Sequence, residues 1–176
     1  SLQNGLRNPE RLRSALEQPI AGGMVSYNVI RPEPAVFRQA TKGPVIVGAL
    51  DGRPGEYLVA LSEAMGRVQL TLSIRDDIEG VMAGKLLLNL NNGVCAVTGV
   101  TVAQSLQDRR LRWCFAMLMR EGLRVLRRDG LTPRSIVGLP PGVIARLLAL
   151  PDAIVLRVAK SLTAVDPEAK SSTLQD

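Results

Sequence analysis

The sequence predicts an α/β unit followed by an all-α unit, and three observations carry that prediction. Up to about residue 76, short β-rich runs alternate with helix-period segments. Beyond that point the strand patterns stop. A stretch too long and too apolar for a strand then begins, "IEGVMAGKLLLNLNNGVCAVTG" (78–99). With 176 residues, 46% of them hydrophobic and 22% charged, the chain has the material for a real core and is not a disordered sequence. The boundary falls at 76/77, giving domains 1–76 and 77–176.

The elements follow in order. "SLQN" reads as the end of a strand, with a turn at Gly5. Asn8-Pro9-Glu10 offers an N-cap, a proline suited to the first helical position and an early acid, predicting a helix over "PERLRSALEQ". "GGMVSYNVI" and "GPVIVGAL" are β-rich runs punctuated by glycine and proline, and "AVFRQATKG" between them predicts a further strand. "GEYLVALSEAMGRV" places Leu58, Leu61, Met65 and Val68 at a helical period, and "QLTLSI" alternates as a strand does. After the long apolar helix, "VAQSLQDRRLRWCFAMLMREGLRVLRRDG" reads as one helix closed by Gly130. Leu111, Phe115, Leu118, Gly122 and Val125 share one face of it. Arg109, Arg112, Arg120, Arg124 and Arg127 fall mostly on a solvated one. "LPPG" predicts a turn, and "VIARLLAL" and "DAIVLRVAKSL" predict helices flanking Pro151. Asp166-Pro167-Glu168 opens a last helix that runs to the final residue. A start without methionine on an interior-like strand, and a stop in mid-helix, lead us to expect a fragment.

Composition excludes much. There is no histidine, which removes the commonest general base, the usual metal ligand and any Ser-His-Asp or Cys-His arrangement. Cys95 and Cys114 lack CxxC spacing and read as small buried hydrophobes in a reducing cytoplasm. Lys and Arg number 22 against 16 acids, a net +6, but aromatics are only 3% and the basic residues are dispersed, so no nucleic-acid partner is expected. The greasiest stretch, "VIARLLALPDAIVLRVA", is cut by Arg146, Pro151, Asp152 and Arg157, so no membrane span is expected either. Against this background the polar residues of the apolar helix stand out. At about 100° per residue, Lys85, Asn89 and Asn92 (i, i+4, i+7) fall on one narrow stripe. Such a stripe faces a cavity or is satisfied by partners. In the plainer alternative, Lys85 snorkels to water while Asn89 and Asn92 bond locally near Gly93.

"SLQNG" at the start, "GG" before a β-run, "KLLLN" in the apolar helix, "LPP…LP" and the closing "DPEAKSSTLQD" share one order and spacing across essentially all 176 residues. By these landmarks the chain resembles the 2-dehydropantoate 2-reductase (ketopantoate reductase) family. The resemblance implies the distal part of a Rossmann-like NADP-binding domain over 1–76 and a helical substrate and dimerisation domain over 77–176, truncated at its C-terminus. It implies a cytoplasmic enzyme that reduces a small 2-oxo acid, 2-dehydropantoate, to pantoate with NADPH on the route to pantothenate; a homodimer stays open. Lys85 matches the family's general acid, Asn89 the substrate-binding asparagine one turn on, and Ser172 the serine that helps hold the substrate. Asn4, in "QNG", matches an asparagine beside cofactor and substrate. Family members carry a further asparagine eight residues after the lysine; Gly93 stands there in this chain, with Asn92 one position earlier as the nearest substrate-binding counterpart.

The chemistry suits those residues. A ketone that accepts hydride becomes an alkoxide, so its oxygen needs a proton and a positive charge, and without histidine a lysine provides both. The glycine-rich G-x-G-x-x-G turn is absent, and the family's carboxylate beyond the serine pair would lie past Asp176. Negligible reductase activity and no tight NADPH binding are therefore expected of these 176 residues alone. Two other readings stand beside this one. One is a related 2-oxo acid oxidoreductase; the other is a non-catalytic helical interaction module, with "VIARLLALP" as a subunit interface.

Overall fold

The computed structural model describes residues 1–39, 42–50 and 55–158. The chain divides into two compact units, Ser1–Lys85 and Leu86–Asp176. The fold class is the expected one, strands and helices first and helices alone afterwards.

The first unit is organised on three strands: β1 (Ala21–Val25), the later β4 (Val45–Ala49) and β5 (Leu72–Ile74), in the order β1-β4-β5. β1 runs antiparallel to β4, with Gly22 opposite Gly48 and Met24 opposite Ile46. β4 runs parallel to β5, with Val45 beside Leu72. A parallel pair cannot be joined by a tight turn, and helix α2 (Glu56–Arg67) supplies the crossover. Val45, Val47, Ala49 and Leu72 bury one face of the sheet together with Leu58 of α2. The other face is opened by the two paired glycines. A Cβ on Gly48 would stand 2.0 Å from the Arg75 carbonyl oxygen and 2.7 Å from Ile78 Cβ, and one on Gly22 would stand 2.9 Å from Met82 Sδ. Only bare backbone there lets the start of helix α3 (Ile78–Thr98) settle on the strands. Pro9, from helix α1 (Asn8–Ala15), is buried against the same patch.

Between β1 and β4 the chain makes a separate two-stranded hairpin, β2 (Val29–Glu33) and β3 (Val36–Gln39), turning at Ala35 with φ +65°. The run read as one stretch, "GGMVSYNVI", is thus two strands broken at residues 26–28. Three other expectations need correction here. "SLQN" forms no strand: the Ser1 amine donates to the Ala21 carbonyl at 2.5 Å, so the segment starts alongside β1 but turns away too soon to build a ladder. Asn8 is not the cap of α1 but its first residue; Arg7 takes the cap position, and Asn8 Nδ2 donates back to the Asn4 carbonyl at 3.1 Å. In α2 the period is right but the phase is off. Leu58, Ser62 and Met65 turn inward, Leu61 and Val68 stay exposed, and the Ser62 hydroxyl donates to the Leu72 carbonyl at 3.3 Å.

In the second unit the helix read over 102–129 is two helices, α4 (Val102–Gln107) and α5 (Arg109–Arg128). Asp108 breaks it: its carboxylate accepts from the backbone N–H of Arg110 at 2.7 Å and of Leu111 at 3.2 Å, as an N-cap does. Those bonds, to Leu111 first and Arg110 second, hold its carboxyl below the usual carboxylate range. Thr101 and Gln104 close the start of α4 as a reciprocal capping box. Gly130, with φ +78°, ends α5 as expected: Leu131 N–H donates to the Leu126 carbonyl at 2.9 Å and Gly130 N–H to that of Arg127 at 3.2 Å.

The buried face of α5 is Arg112, Phe115, Ala116, Met119, Leu123 and Leu126, so Val125 is exposed and Arg112 is not on a solvated face. Arg112 is 1% exposed. Its Nε donates to the Leu148 carbonyl at 3.1 Å, Nη1 to those of Leu106 at 3.0 Å and Gln107 at 3.3 Å, and Nη2 to that of Leu150 at 3.5 Å. Nη2 also pairs with the Asp152 carboxylate. One guanidinium thereby ties the end of α4 to the end of α6 (Pro141–Leu148) and the start of α7 (Asp152–Val158). A periodicity count sees only a charged letter; burial follows from carbonyls that helix ends leave without partners. The helix expected from Asp166 onward lies outside the described residues.

Candidate active site

Helix α3 runs unbroken through the 21 residues from Ile78 to Thr98, and its apolar sides are buried from Ile78 to Cys95 while the last turn, with Val97, is exposed. Ile78, Val81, Met82 and Ala83 are buried in the first unit, and Leu87, Val94 and Cys95 in the second. Lys85, Asn89 and Asn92 are each half-buried, and the unbroken helix keeps them at i, i+4 and i+7. The stripe read from the sequence is therefore a physical one, neither sealed in a core nor fully in water.

Lys85 Nζ donates to the backbone carbonyl of Val25, the last residue of β1, at 3.4 Å. That is a long bond, the kind a proton donor can leave for another acceptor. Burial alone pushes the ammonium's pKa below the ordinary lysine value. A lysine so placed holds a proton, gives it up more readily than a surface lysine, and carries a compact charge suited to one oxygen.

The shift has a consequence for stability, and its sign follows from proton counting. Between the lowered folded value and the unfolded value of about 10.4, the unfolded chain holds a proton that folded Lys85 has released. Stability therefore rises with pH through that window and is flat with respect to this group on either side of it. Denaturation of wild type and Lys85→Met across alkaline pH should show wild type gaining on the variant as pH rises; a constant difference refutes it.

The other residues singled out fall differently. Asn4 is exposed in the turn before Gly5, whose φ is +98°. Ser172 lies outside the described residues. Asn91, which sequence reasoning passed over, is buried: its Nδ2 donates to Ser105 Oγ at 2.9 Å and lies 3.8 Å from Cys95 Sγ. The Ser105 proton goes to the Val102 carbonyl at 2.8 Å, so this hydroxyl must accept from Asn91, and the pair ties α3 to α4. Cys95 is buried as expected; Cys114 is exposed, because the inward face of α5 is turned away from it, and neither forms a disulfide. Among the described residues no group of three His, Cys, Asp or Glu could hold a metal ion, and no helix is long and apolar enough to cross a membrane. The described residues do not fit a complete dinucleotide site either. Their parallel strand–helix–strand unit, β4–α2–β5, is not connected by a G-x-G-x-x-G turn.

Comparison with known proteins agrees with an α/β unit followed by a helical one. Two family models match: "Ketopantoate reductase PanE/ApbA C terminal" over residues 77–176, and "Ketopantoate reductase PanE/ApbA" over residues 1–52. The chain belongs to the ketopantoate reductase family. It is 24% identical over 132 residues to a 2-dehydropantoate 2-reductase of Pyrococcus horikoshii, covering 74% of this chain and 44% of that protein. Among solved structures, it is similar to a PanE/ApbA family ketopantoate reductase from Ralstonia eutropha JMP134 (TM-score 0.75, 24% identity, 100% of this chain and 52% of that one). It is also similar to D-mandelate dehydrogenase in a ternary structure with NADH and anilino(oxo)acetate (TM-score 0.72, 17% identity, 99% of this chain and 52% of that one). The chain thus spans about half the length of the relatives it matches.

Proposed function

We propose that the complete protein reduces 2-dehydropantoate to pantoate with NADPH, and that Lys85 is its general acid. The observation that supports this most is the half-buried Lys85, held by a long bond to a backbone carbonyl and sharing one helical stripe with Asn89 and Asn92. A bound nicotinamide cofactor would supply the hydride that the ketone carbon accepts. As the carbonyl π pair collects on oxygen, Lys85 Nζ leaves the Val25 carbonyl and gives that oxygen its proton. The neutral amine then regains a proton from water. Before transfer the ammonium polarises the ketone, and it stabilises the charge most strongly where the charge is greatest, in the transition state. Asn89 and Asn92 offer amide donors and acceptors to the substrate's carboxylate and hydroxyl without adding charge, and Ser172 offers a hydroxyl donor to the same groups. Two unpaired cysteines accord with a cytoplasmic enzyme. The 176 residues alone should have negligible turnover.

A second reading, reduction of a different 2-oxo acid, is favoured by the similarity to D-mandelate dehydrogenase. The test is a panel assayed with the complete protein and either NADPH or NADH: 2-dehydropantoate, the 2-oxo acid corresponding to mandelate, and simple aliphatic 2-oxo acids. Preferential turnover of 2-dehydropantoate with NADPH supports the first reading; preference for another member supports the second. Silence across the panel sinks both.

A further inference from the structure

We infer that Ser26 is a positioning residue for Lys85, acting through a clasp that closes the base of the β2–β3 hairpin and fixes the Val25 carbonyl on which the lysine rests. The chain leaves β1 at Val25, builds the hairpin and returns to the sheet at Pro44 and Val45. Ser26 closes that excursion twice: its backbone N–H donates to the Pro44 carbonyl at 3.2 Å, and its hydroxyl donates to the same oxygen at 2.5 Å. Val45 N–H in turn donates to the Thr71 carbonyl at 2.9 Å, which carries the anchorage on to the sheet.

Gly43 belongs to the device. A Cβ at that position would stand 2.3 Å from Ser26 Oγ and 3.1 Å from the Ser26 carbonyl oxygen, so the return strand comes this close only because residue 43 has no side chain. The peptide joining Val25 to Ser26 contains the carbonyl that accepts from Lys85 Nζ at 3.4 Å. Planarity of that peptide makes its oxygen follow wherever Ser26 is pinned. Among the described residues Nζ has no other hydrogen bond, and burial is what displaces its pKa. Lys85 therefore depends on one neutral acceptor, and that acceptor depends on the clasp. A loosened carbonyl leaves the ammonium buried with its partner weakened, which disfavours the charged form and blurs the position of the proton to be delivered.

This rests on the reading of Lys85 as general acid, and the experiment separates the two. In the complete protein, Ser26→Ala should lower kcat about tenfold while KM for the 2-oxo acid stays within about twofold, the signature of a lost transition-state alignment. The alkaline limb of kcat should move down by about half a pH unit or more, and Ser26→Thr, which keeps the hydroxyl, should restore it. Independently of turnover, the Lys85 titration followed by NMR of ¹³Cε-labelled lysine should fall by the same amount in Ser26→Ala. The signal that disappears in Lys85→Met assigns the resonance. Gly43→Ala, which displaces the hydroxyl from the other side, should reproduce the fall and serves if Ser26→Ala does not fold. An unchanged Lys85 titration in a folded variant overturns the proposal, as does failure of threonine to restore. If the protein reduces no 2-oxo acid the catalytic reading fails, and the titration still decides the clasp.

Discussion

Lys85→Ala in the complete enzyme lowers kcat by about 10³-fold, within the 10²–10⁴ that a positioned proton donor contributes. The loss should fall on kcat and kcat/KM alike, because a general acid in the proposed role binds most strongly to an oxygen that becomes anionic only in the transition state. Lys85→Arg does not restore the rate: guanidinium keeps the positive charge but releases no proton in this pH range. Circular dichroism of Lys85→Ala stays native, since the side chain's hydrogen bond to the Val25 carbonyl is long and its burial is partial. Steady-state kinetics on the three proteins checks this. A kcat for Lys85→Ala within a few-fold of wild type would remove Lys85 from the chemistry.

Arg112→Leu destabilises the helical unit by about 3–5 kcal/mol, the range found when a buried, fully bonded ionic network is broken. Four carbonyls at helix ends (Leu106, Gln107, Leu148, Leu150) and the Asp152 carboxylate lose their donor together. A leucine fills the space and satisfies none of them. Arg112→Lys fares nearly as badly, because one ammonium cannot span acceptors that a planar fork reaches on three nitrogens. Asp152→Asn costs less. That side chain is 51% exposed, and the guanidinium keeps its carbonyls. Urea denaturation orders the three variants; a lysine variant as stable as wild type would show that the fork geometry is irrelevant.

What was legible in the sequence and what was not divide along physical lines. The division into an α/β and a helical unit, the long apolar helix, the Lys85–Asn89–Asn92 stripe and the Gly130 terminator were all readable. Each depends on local periodicity or on one residue's backbone freedom. Phase and partnership were not. Leu61 and Val125 sit at plausible helical periods but face outward, because which side of a helix is covered depends on elements distant in the chain. Asp108 could have been found: an acid preceding a helix-period run is a cap signal, and Thr101 with Gln104 three residues on spells a capping box. Arg112 and Asn91 could not, since their burial depends on carbonyls and a hydroxyl supplied by other helices. The role expected of Ser172 rests on the resemblance, because that residue lies outside the described ones.

One rod of 21 residues enters both interiors, giving Ile78, Val81 and Met82 to one and Leu87, Val94 and Cys95 to the other. Unwinding its opening turn would bare the Gly22 and Gly48 backbone on which Met82 and Ile78 sit, so within the first unit the β1–β4 pair and the head of the rod melt together.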